Sequence, residues 1–286
     1  MIGVLTAGLF MGILYGMLTT SIVVVYRGSR VLNFAFAPIG MIGAFAFSEA
    51  WTTNGLPLGV ALVIGVGTSA LLGLAVERFV IRPLRGSTEL ASMLSTAAVG
   101  SVLLVFATRR WGSTPRAAPP LIDGPGVHFG SIFVQRQQLL LAGVTVVVLV
   151  LLTVLNSATP FGLRMRAVAL DPYGAGLSGV NVSATSAVIW LLGGALAGLA
   201  GILVAPLVAF SVVFMSGLAL RAIAAALIGG LGNVALAFVA AVGLGLAEAF
   251  IGYKSPVTGV VEATLAVLVI AVVLIRPSGL GRTSAI

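Results

Sequence analysis

Long apolar runs alternate with short polar segments along most of this chain. Runs such as residues 139–155 are much longer than a transmembrane strand and lack its every-second-residue alternation, so they predict α-helices. Nine runs are long enough to be counted as candidate membrane spans, and they cover residues 3–26, 31–52, 57–80, 90–108, 138–157, 184–206, 218–231, 235–252 and 257–275. We therefore predict an all-α, polytopic integral membrane protein with about 8–10 transmembrane helices, forming one domain over residues 1–286.

Two of these runs carry helix-breaking residues, and we expect them to form broken or re-entrant segments. Residues 31–52 hold Asn33, Pro38 and two glycines near their start. Residues 218–231 are short, contain Arg221 and continue into the sequence Gly-Gly-Leu-Gly-Asn at 229–233. Breaks in both halves of a chain are typical of transporters with a pathway at the middle of the membrane.

The composition agrees with a membrane protein and excludes several other classes. Hydrophobic residues make up 59% of the chain and charged residues only 8%, against about 25% in an ordinary soluble domain. The chain has no cysteine, which excludes disulfides and thiol chemistry, and its single histidine, His128, cannot form a His-based metal site alone. We expect no metal and no cofactor.

The formal net charge of +8 comes almost entirely from arginines that lie between the apolar runs. This placement favours the positive-inside rule over a nucleic-acid surface, and we expect no nucleic-acid partner. If all nine runs cross and the N-terminus is outside, nine arginines lie on the inner side, while four arginines and Lys254 lie on the outer side. The N-terminus is therefore predicted outside and the C-terminus in the cytoplasm.

Two loops stand out from the short connections. The outer loop, at about residues 109–137, is rich in proline and glycine. The inner loop, at about residues 157–183, has a short helical pattern that places Met165, Val168 and Ala169 on one apolar face. Such a face is typical of a helix that docks in a partner's groove, while the alternative is a charged loop whose arginines only fix the topology.

Polar residues within the spans are the other functional candidates. Charges at membrane depth are unfavourable, so Arg221, Glu248 and Glu262 are candidate intramembrane sites, with Glu49 nearer an interface. Glu248 and Glu262 lie near helix ends and could instead reach water. Uncharged groups that could line a substrate path are Asn33, Ser95, Thr96 and Asn233. The phosphate-binding pattern G-x-x-x-x-G-K-[ST] does not occur in the sequence, so we expect this chain to be no enzyme and to hydrolyse no ATP itself.

Four stretches, in order along the chain, resemble signatures of the permease subunits of Liv-type branched-chain amino acid ABC importers. They are VYR, LNFAFA and MIGA within residues 25–44, ERF and RPLR within 77–85, GLRMRA followed by Ala169, Asp171, GVN and AGLAG within 162–201, and GGLGN, Glu248 and RPSGL within 229–280. One departure is that Phe36 and Ala37 stand where the family usually has His and Gly.

The resemblance implies a multi-pass subunit of the bacterial inner membrane, surrounded by lipid, that moves branched-chain or related amino acids. Its implied partners are two ATP-binding subunits, a second permease that is homologous or identical, and a periplasmic or lipid-anchored solute-binding protein. It also implies that the inner loop couples the chain to the ATPase, through Arg164, Met165, Arg166, Val168, Ala169, Asp171 and Gly179. Open alternatives are an ion-coupled secondary transporter, a non-transporting membrane scaffold, and urea or short amides as substrates.

Overall fold

The computed structural model describes residues 1–129 and 132–254, together with a few isolated positions between 259 and 270. The helices of this part of the chain are α1 (Ile2–Ser29), α2 (Phe36–Ser48), α3 (Leu58–Val76), α4 (Glu89–Trp111), α5 (Arg136–Ala158), α6 (Pro160–Leu170), α7 (Pro172–Leu177), α8 (Val182–Val204), α9 (Phe214–Gly229) and α10 (Val234–Lys254). π-Helical turns extend α2 at Glu49–Thr53 and α3 at Glu77–Ile81, and a 3-10 turn extends α8 at Ala205–Leu207. Two short antiparallel strands, β1 (Val127–Phe129) and β2 (Ile132–Val134), lie in the loop between α4 and α5.

Within the described residues, six helical segments are long and apolar enough to cross a membrane: Gly3–Ser29, Leu58–Ile81, Glu89–Trp111, Arg136–Ala158, Val182–Leu207 and Val234–Lys254. The prediction of an all-α polytopic membrane protein is confirmed. The ninth predicted run, 257–275, and Glu262 within it lie outside the continuously described residues.

The two runs predicted to be broken form the shorter helices α2 and α9. A non-helical segment at residues 31–35 precedes α2, and Arg30 before it has a left-handed backbone with a φ of 56°. Pro38 lies in the first turn of α2, where a proline removes no helical hydrogen bond. An irregular segment at 208–213 separates α8 from α9, so α9 has only 16 residues.

Helices α1 and α8 lie at the centre of the bundle. α1 packs along α10 and against α8 and α9, while α8 packs against α2 and α3. By contrast, α4 and α5 keep many large apolar side chains exposed, such as Val105 and Val147, as expected of helices that face lipid. The lipid-facing helices therefore surround a core built from α1, α2 and α8.

Glycines allow the central helices to approach each other closely. A Cβ atom on Gly245 of α10 would lie only 2.3 Å from the backbone nitrogen of Gly12 on α1. On the other side of the core, a Cβ on Gly194 of α8 would lie 2.3 Å from the carbonyl oxygen of Ser69 on α3. These glycines thus serve packing between helices of this chain, as expected for membrane helices.

The two ends of the bundle can be named by the residues that they carry. Helix α4 runs for 23 residues, or roughly 33 Å, from Glu89 at one end to Trp111 at the other. We call the end that carries Glu89 the arginine-rich end, because it holds Arg27, Arg30, Arg82, Arg85, Arg164 and Arg166. The end that carries Trp111 and the long loop is called the opposite end.

Candidate functional site

A charged cluster joins three helices within the membrane-spanning part of the bundle. Arg221 of α9 donates from Nε to Oε1 of Glu248 on α10 at 2.7 Å, and its Nη1 donates to the carbonyl of Gly217 at 3.0 Å. The hydroxyl of Tyr15 on α1 donates to the other carboxylate oxygen of Glu248 at 2.6 Å. Arg221 and Glu248, which the sequence suggested separately, are therefore ion-paired partners, and their side chains are only 23% and 11% exposed.

A second cluster at the arginine-rich end was part of the resemblance but had no predicted role. The carboxylate of Glu77 is completely buried and lies 3.0 Å from Arg82 and 2.8 Å from Arg85. Arg85 also donates to the hydroxyl of Ser183, at the start of α8, at 2.7 Å. The cluster therefore fastens the end of α3 to the start of α8. The spacing Glu77, Arg82, Arg85 was the available sequence signal.

Asn33 and Thr96 lie together at the break before α2. The side-chain oxygen of Asn33 accepts from the backbone of Ala35 at 2.9 Å, and the hydroxyl of Thr96 accepts from the backbone of Phe34 at 3.1 Å. Both side chains are buried. Ser95 is half-buried and donates to the carbonyl of Ala91 in its own helix. These groups hold the break in place, and whether they also contact substrate stays a prediction.

Asn233 lies at the other predicted break, and its side chain caps α10. Its oxygen accepts from the backbone nitrogens of Ala235 at 2.9 Å and Leu236 at 3.2 Å. Asparagine is one of the residues preferred as a helix N-cap, because its side-chain oxygen accepts from these backbone nitrogens. The side-chain oxygens of Asn33 and Asn233 both accept hydrogen bonds from backbone nitrogens. The role of Asn233 in a substrate path stays a prediction.

The inner loop forms the predicted short helix, α6, followed by α7, but the apolar face predicted for a partner points into this chain. Met165 and Val168 are buried, with 8% and 5% exposure, because α6 packs against α1, α5 and α8. Ala169 is half-buried, and its carbonyl accepts from Arg30 at 3.4 Å. The predicted face is thus corrected: Met165 and Val168 are covered by this chain's own helices and do not form an exposed docking surface.

A different face of the α6–α7 segment is exposed. The large apolar residues with high exposure are Leu163, Leu170, Tyr173 and Leu177, and Arg164 and Arg166 are exposed beside them. Asp171 caps α7 by accepting from the backbone of Tyr173 at 3.0 Å, and Gly179 follows α7 with a left-handed φ of 82°. These two residues shape the turn between α6 and α8.

A cavity of about 390 Å³ lies under this segment at the arginine-rich end. Its wall includes Arg30, Arg85 and Glu89 from the bundle, and Val168 and Ala169 from α6. A smaller cavity of about 210 Å³ nearby is lined by Arg27, Arg30 and Arg166. The α6–α7 segment therefore covers a basic space rather than packing solidly against the bundle.

The opposite end has a cavity of about 340 Å³ between α2, the end of α4 and the long loop. Glu49, in the π-helical turn after α2, forms an ion pair with Arg110 and accepts from the indole nitrogen of Trp111 at 3.0 Å. The sequence placed Glu49 near a membrane interface but predicted no partner for it. Glu49 and Arg110 are 61 residues apart, so no local pattern could join them.

Comparison with known proteins identifies the family. Residues 4–276 match the family model described as the branched-chain amino acid transport system permease component. The high-affinity branched-chain amino acid transport system permease protein LivH of Escherichia coli (strain K12) is 29% identical over 295 residues, covering 96% of this chain and 94% of that protein. The corresponding protein BraD of Pseudomonas aeruginosa PAO1 is 29% identical over 298 residues, covering 97% and 95%.

A more distant relative is the probable branched-chain amino acid transport permease protein LivH of Methanocaldococcus jannaschii, which is 27% identical over 288 residues and covers 92% of this chain and 87% of that protein. No solved structure matches the chain. The family match extends over nearly the whole sequence, and the six apolar helices agree with a membrane-spanning permease. This chain therefore belongs to the family of permease components of branched-chain amino acid transport systems.

Proposed function

We propose that this chain is the transmembrane permease subunit of a binding-protein-dependent ABC importer that moves branched-chain or related amino acids across the bacterial inner membrane. The observation that carries the proposal is the family match over residues 4–276, together with relatives named as branched-chain amino acid permeases that cover almost the full length. Separate subunits hydrolyse ATP, in keeping with the lack of a phosphate-binding loop in the sequence.

The proposed orientation follows from the charges at the two ends of the bundle. The arginine-rich end faces the cytoplasm, because positive residues close to spans are retained there. The long loop and the cavity beside Glu49 then face outward, and α1 begins on the outer side.

The proposed partners are two ATP-binding subunits, a second permease and a solute-binding protein that delivers the amino acid. The ATP-binding subunits contact the exposed face of α6–α7. Four large apolar side chains stand exposed there beside Arg164 and Arg166, at an end that is expected to meet water, so a protein partner would cover apolar surface. In the competing interpretation, the arginines of this segment only fix the topology.

Reconstitution tests the proposal. The chain is purified with the two ATPases and the second permease from the same genome, inserted in proteoliposomes, and supplied with labelled leucine and the binding protein. We expect leucine uptake that requires both ATP and the binding protein, and unlabelled urea should not compete. Uptake by this chain alone under an ion gradient would instead identify a secondary transporter, and uptake of urea without leucine would replace the substrate class.

A further inference from the structure

The cavity at the opposite end has an unusual lining for a membrane protein, because it combines charges of both signs with aromatic rings. Glu49 and Arg110 contribute opposite charges, and Arg116 from the long loop adds a second positive charge. Phe45, Trp111 and Phe210 provide the aromatic surface. A small molecule that has a positive group, a negative group and an apolar part would find a partner for each here.

The aromatic part of the wall is firmly packed. The rings of Phe45 and Phe210 are stacked with centroids 4.2 Å apart, and the ring of Trp111 also stacks on Phe45 with centroids 5.1 Å apart. Phe45 and Phe210 are almost completely buried. The long loop is fixed to this wall, since the backbone nitrogen of Arg116 donates to the carbonyl of Phe210 at 2.8 Å. The apolar surface of the cavity is therefore preformed.

The charged part of the wall is partly exposed. The side chains of Arg110 and Glu49 are 52% and 31% exposed, and an ion pair as exposed as this contributes little to stability. The guanidinium of Arg116 donates to the backbone carbonyl of Trp111, and among the residues that the structure describes it has no carboxylate partner. A ligand that displaces the Glu49–Arg110 pair would meet two guanidinium groups for a carboxylate and the carboxylate of Glu49 for an ammonium group.

The backbone at Glu49 determines which side chains reach the cavity. The turn Glu49–Thr53 is π-helical and ends the helix, as wide turns often do at helix C-termini. This turn places Glu49, Thr52 and Thr53 on the cavity wall together. The cavity of about 340 Å³ falls within the usual range for small-molecule sites, about 300–1,000 Å³.

The geometry points to a binding site for a free, apolar α-amino acid zwitterion in this cavity. Arg110 and Arg116 bind the α-carboxylate, Glu49 binds the α-ammonium, and the side chain lies against Phe45, Trp111 and Phe210. The site receives the amino acid on the outer side before it crosses. The substrate class and the side of the membrane rest on the proposed function, but the pairing of charges with an aromatic wall does not.

Direct binding to the purified chain tests this site without transport. The probes are L-leucine, 4-methylpentanoate, which lacks the amino group, and leucinamide, which lacks the carboxylate. We expect leucine to raise the melting temperature of the full chain in detergent and to bind at least about ten-fold more tightly than either analogue, because each analogue loses a charged contact. Equal binding of all three compounds, or no binding of leucine, would overturn the site.

Substitutions locate the binding. Glu49→Gln and Arg116→Gln should each weaken leucine binding at least about ten-fold. Arg109→Gln is the matched control, since Arg109 is exposed at the same end but does not line the cavity. Unchanged leucine affinity in both cavity variants would contradict the site. If a variant does not fold, the comparison of leucine with its two analogues on the unmodified chain decides.

Transport assays on the complete importer distinguish failure of the binding site from failure of the proposed function. If the complete importer takes up leucine but the chain binds none of it and both cavity variants transport normally, the function stands and the site is wrong. If the cavity variants lose only stimulation by the binding protein while the chain's affinity for leucine is unchanged, the cavity is a protein docking surface, and the site is also wrong. If the importer moves no amino acid, the function fails, while leucine binding by the chain still tests the site.

Discussion

Arg221 and Glu248 show why charges can persist inside this bundle. Each would be unfavourable alone at membrane depth, but the pair is 2.7 Å apart and the hydroxyl of Tyr15 satisfies the second carboxylate oxygen. The pair joins α9 to α10, and Tyr15 adds α1. The simplest role for this cluster is to lock the short helix α9 in place.

A double-mutant cycle tests that role. Arg221→Met or Glu248→Leu alone leaves one charge without its partner, so each should lower stability by about 3–5 kcal/mol. The double variant should be clearly more stable than the sum of the two predicts, because no lone charge remains. Thermal unfolding of the purified chain in detergent measures all three variants. Simple additivity would contradict a coupled pair.

At the level of helices, close contacts through glycine hold α1 against α10. Gly245 and Gly243 lie two residues apart on α10, yet their surroundings differ. A Cβ on Gly245 would meet the backbone of Gly12, whereas a Cβ on Gly243 would meet nothing within 4 Å. The pair offers a matched comparison on one helix.

We expect Gly245→Val to force α1 and α10 apart and to lower the melting temperature strongly. Gly243→Val adds the same side chain to the same helix but points it into open space, so its effect should stay within about 1 kcal/mol. Thermal unfolding in the same detergent compares them. Equal losses in both variants would mean that helix propensity, rather than the α1–α10 contact, causes the effect.

The α6–α7 segment separates an inward face from an outward face. Tyr173 and Leu177 of α7 are 78% and 75% exposed, while Val168 of α6 is buried in its own chain. Changes on the two faces should therefore have different consequences, even though both lie in one short segment.

Replacing Tyr173 and Leu177 together with serine should leave membrane abundance and melting temperature unchanged, but reduce co-purification with the ATPase. Val168→Glu places a charge in the chain's interior, so it should lower the melting temperature of the isolated permease. Abundance, unfolding and pull-down of the ATPase are measured on the same preparations. Full ATPase capture by the serine variant would show that the outward face is not the contact.

At the scale of the whole molecule, the two ends of the bundle carry different sets of arginines, and the proposed orientation rests on that difference. Ser87 lies at the arginine-rich end before α4, and Ser113 follows α4 at the opposite end. The chain has no cysteine, so single introduced cysteines can be labelled without background.

In intact cells, Ser113→Cys should react with an impermeant thiol reagent, and Ser87→Cys should react only after the membrane is opened. The two residues flank α4 at its opposite ends, so the comparison reports which end of α4 is outside. Permeabilised cells, in which both cysteines should react, provide the control. Labelling of Ser87→Cys from outside would reverse the proposed topology.

The sequence alone determined the class and the general plan of this protein. Length and hydropathy of the apolar runs are local properties, so they predicted membrane helices, and proline, glycine and asparagine marked the breaks before α2 and at 229–233. The short helix at α6 was also predicted, because its spacing of apolar residues is local.

Only the tertiary structure decided what each face and each charge does. A helical pattern shows that Met165 and Val168 share a face, but whether that face meets a partner or the chain's own core depends on where α1, α5 and α8 lie. The same holds for Glu49 with Arg110, which are far apart in sequence. Such contacts form between residues that only the packing of distant helices brings together, so no local pattern could reveal them.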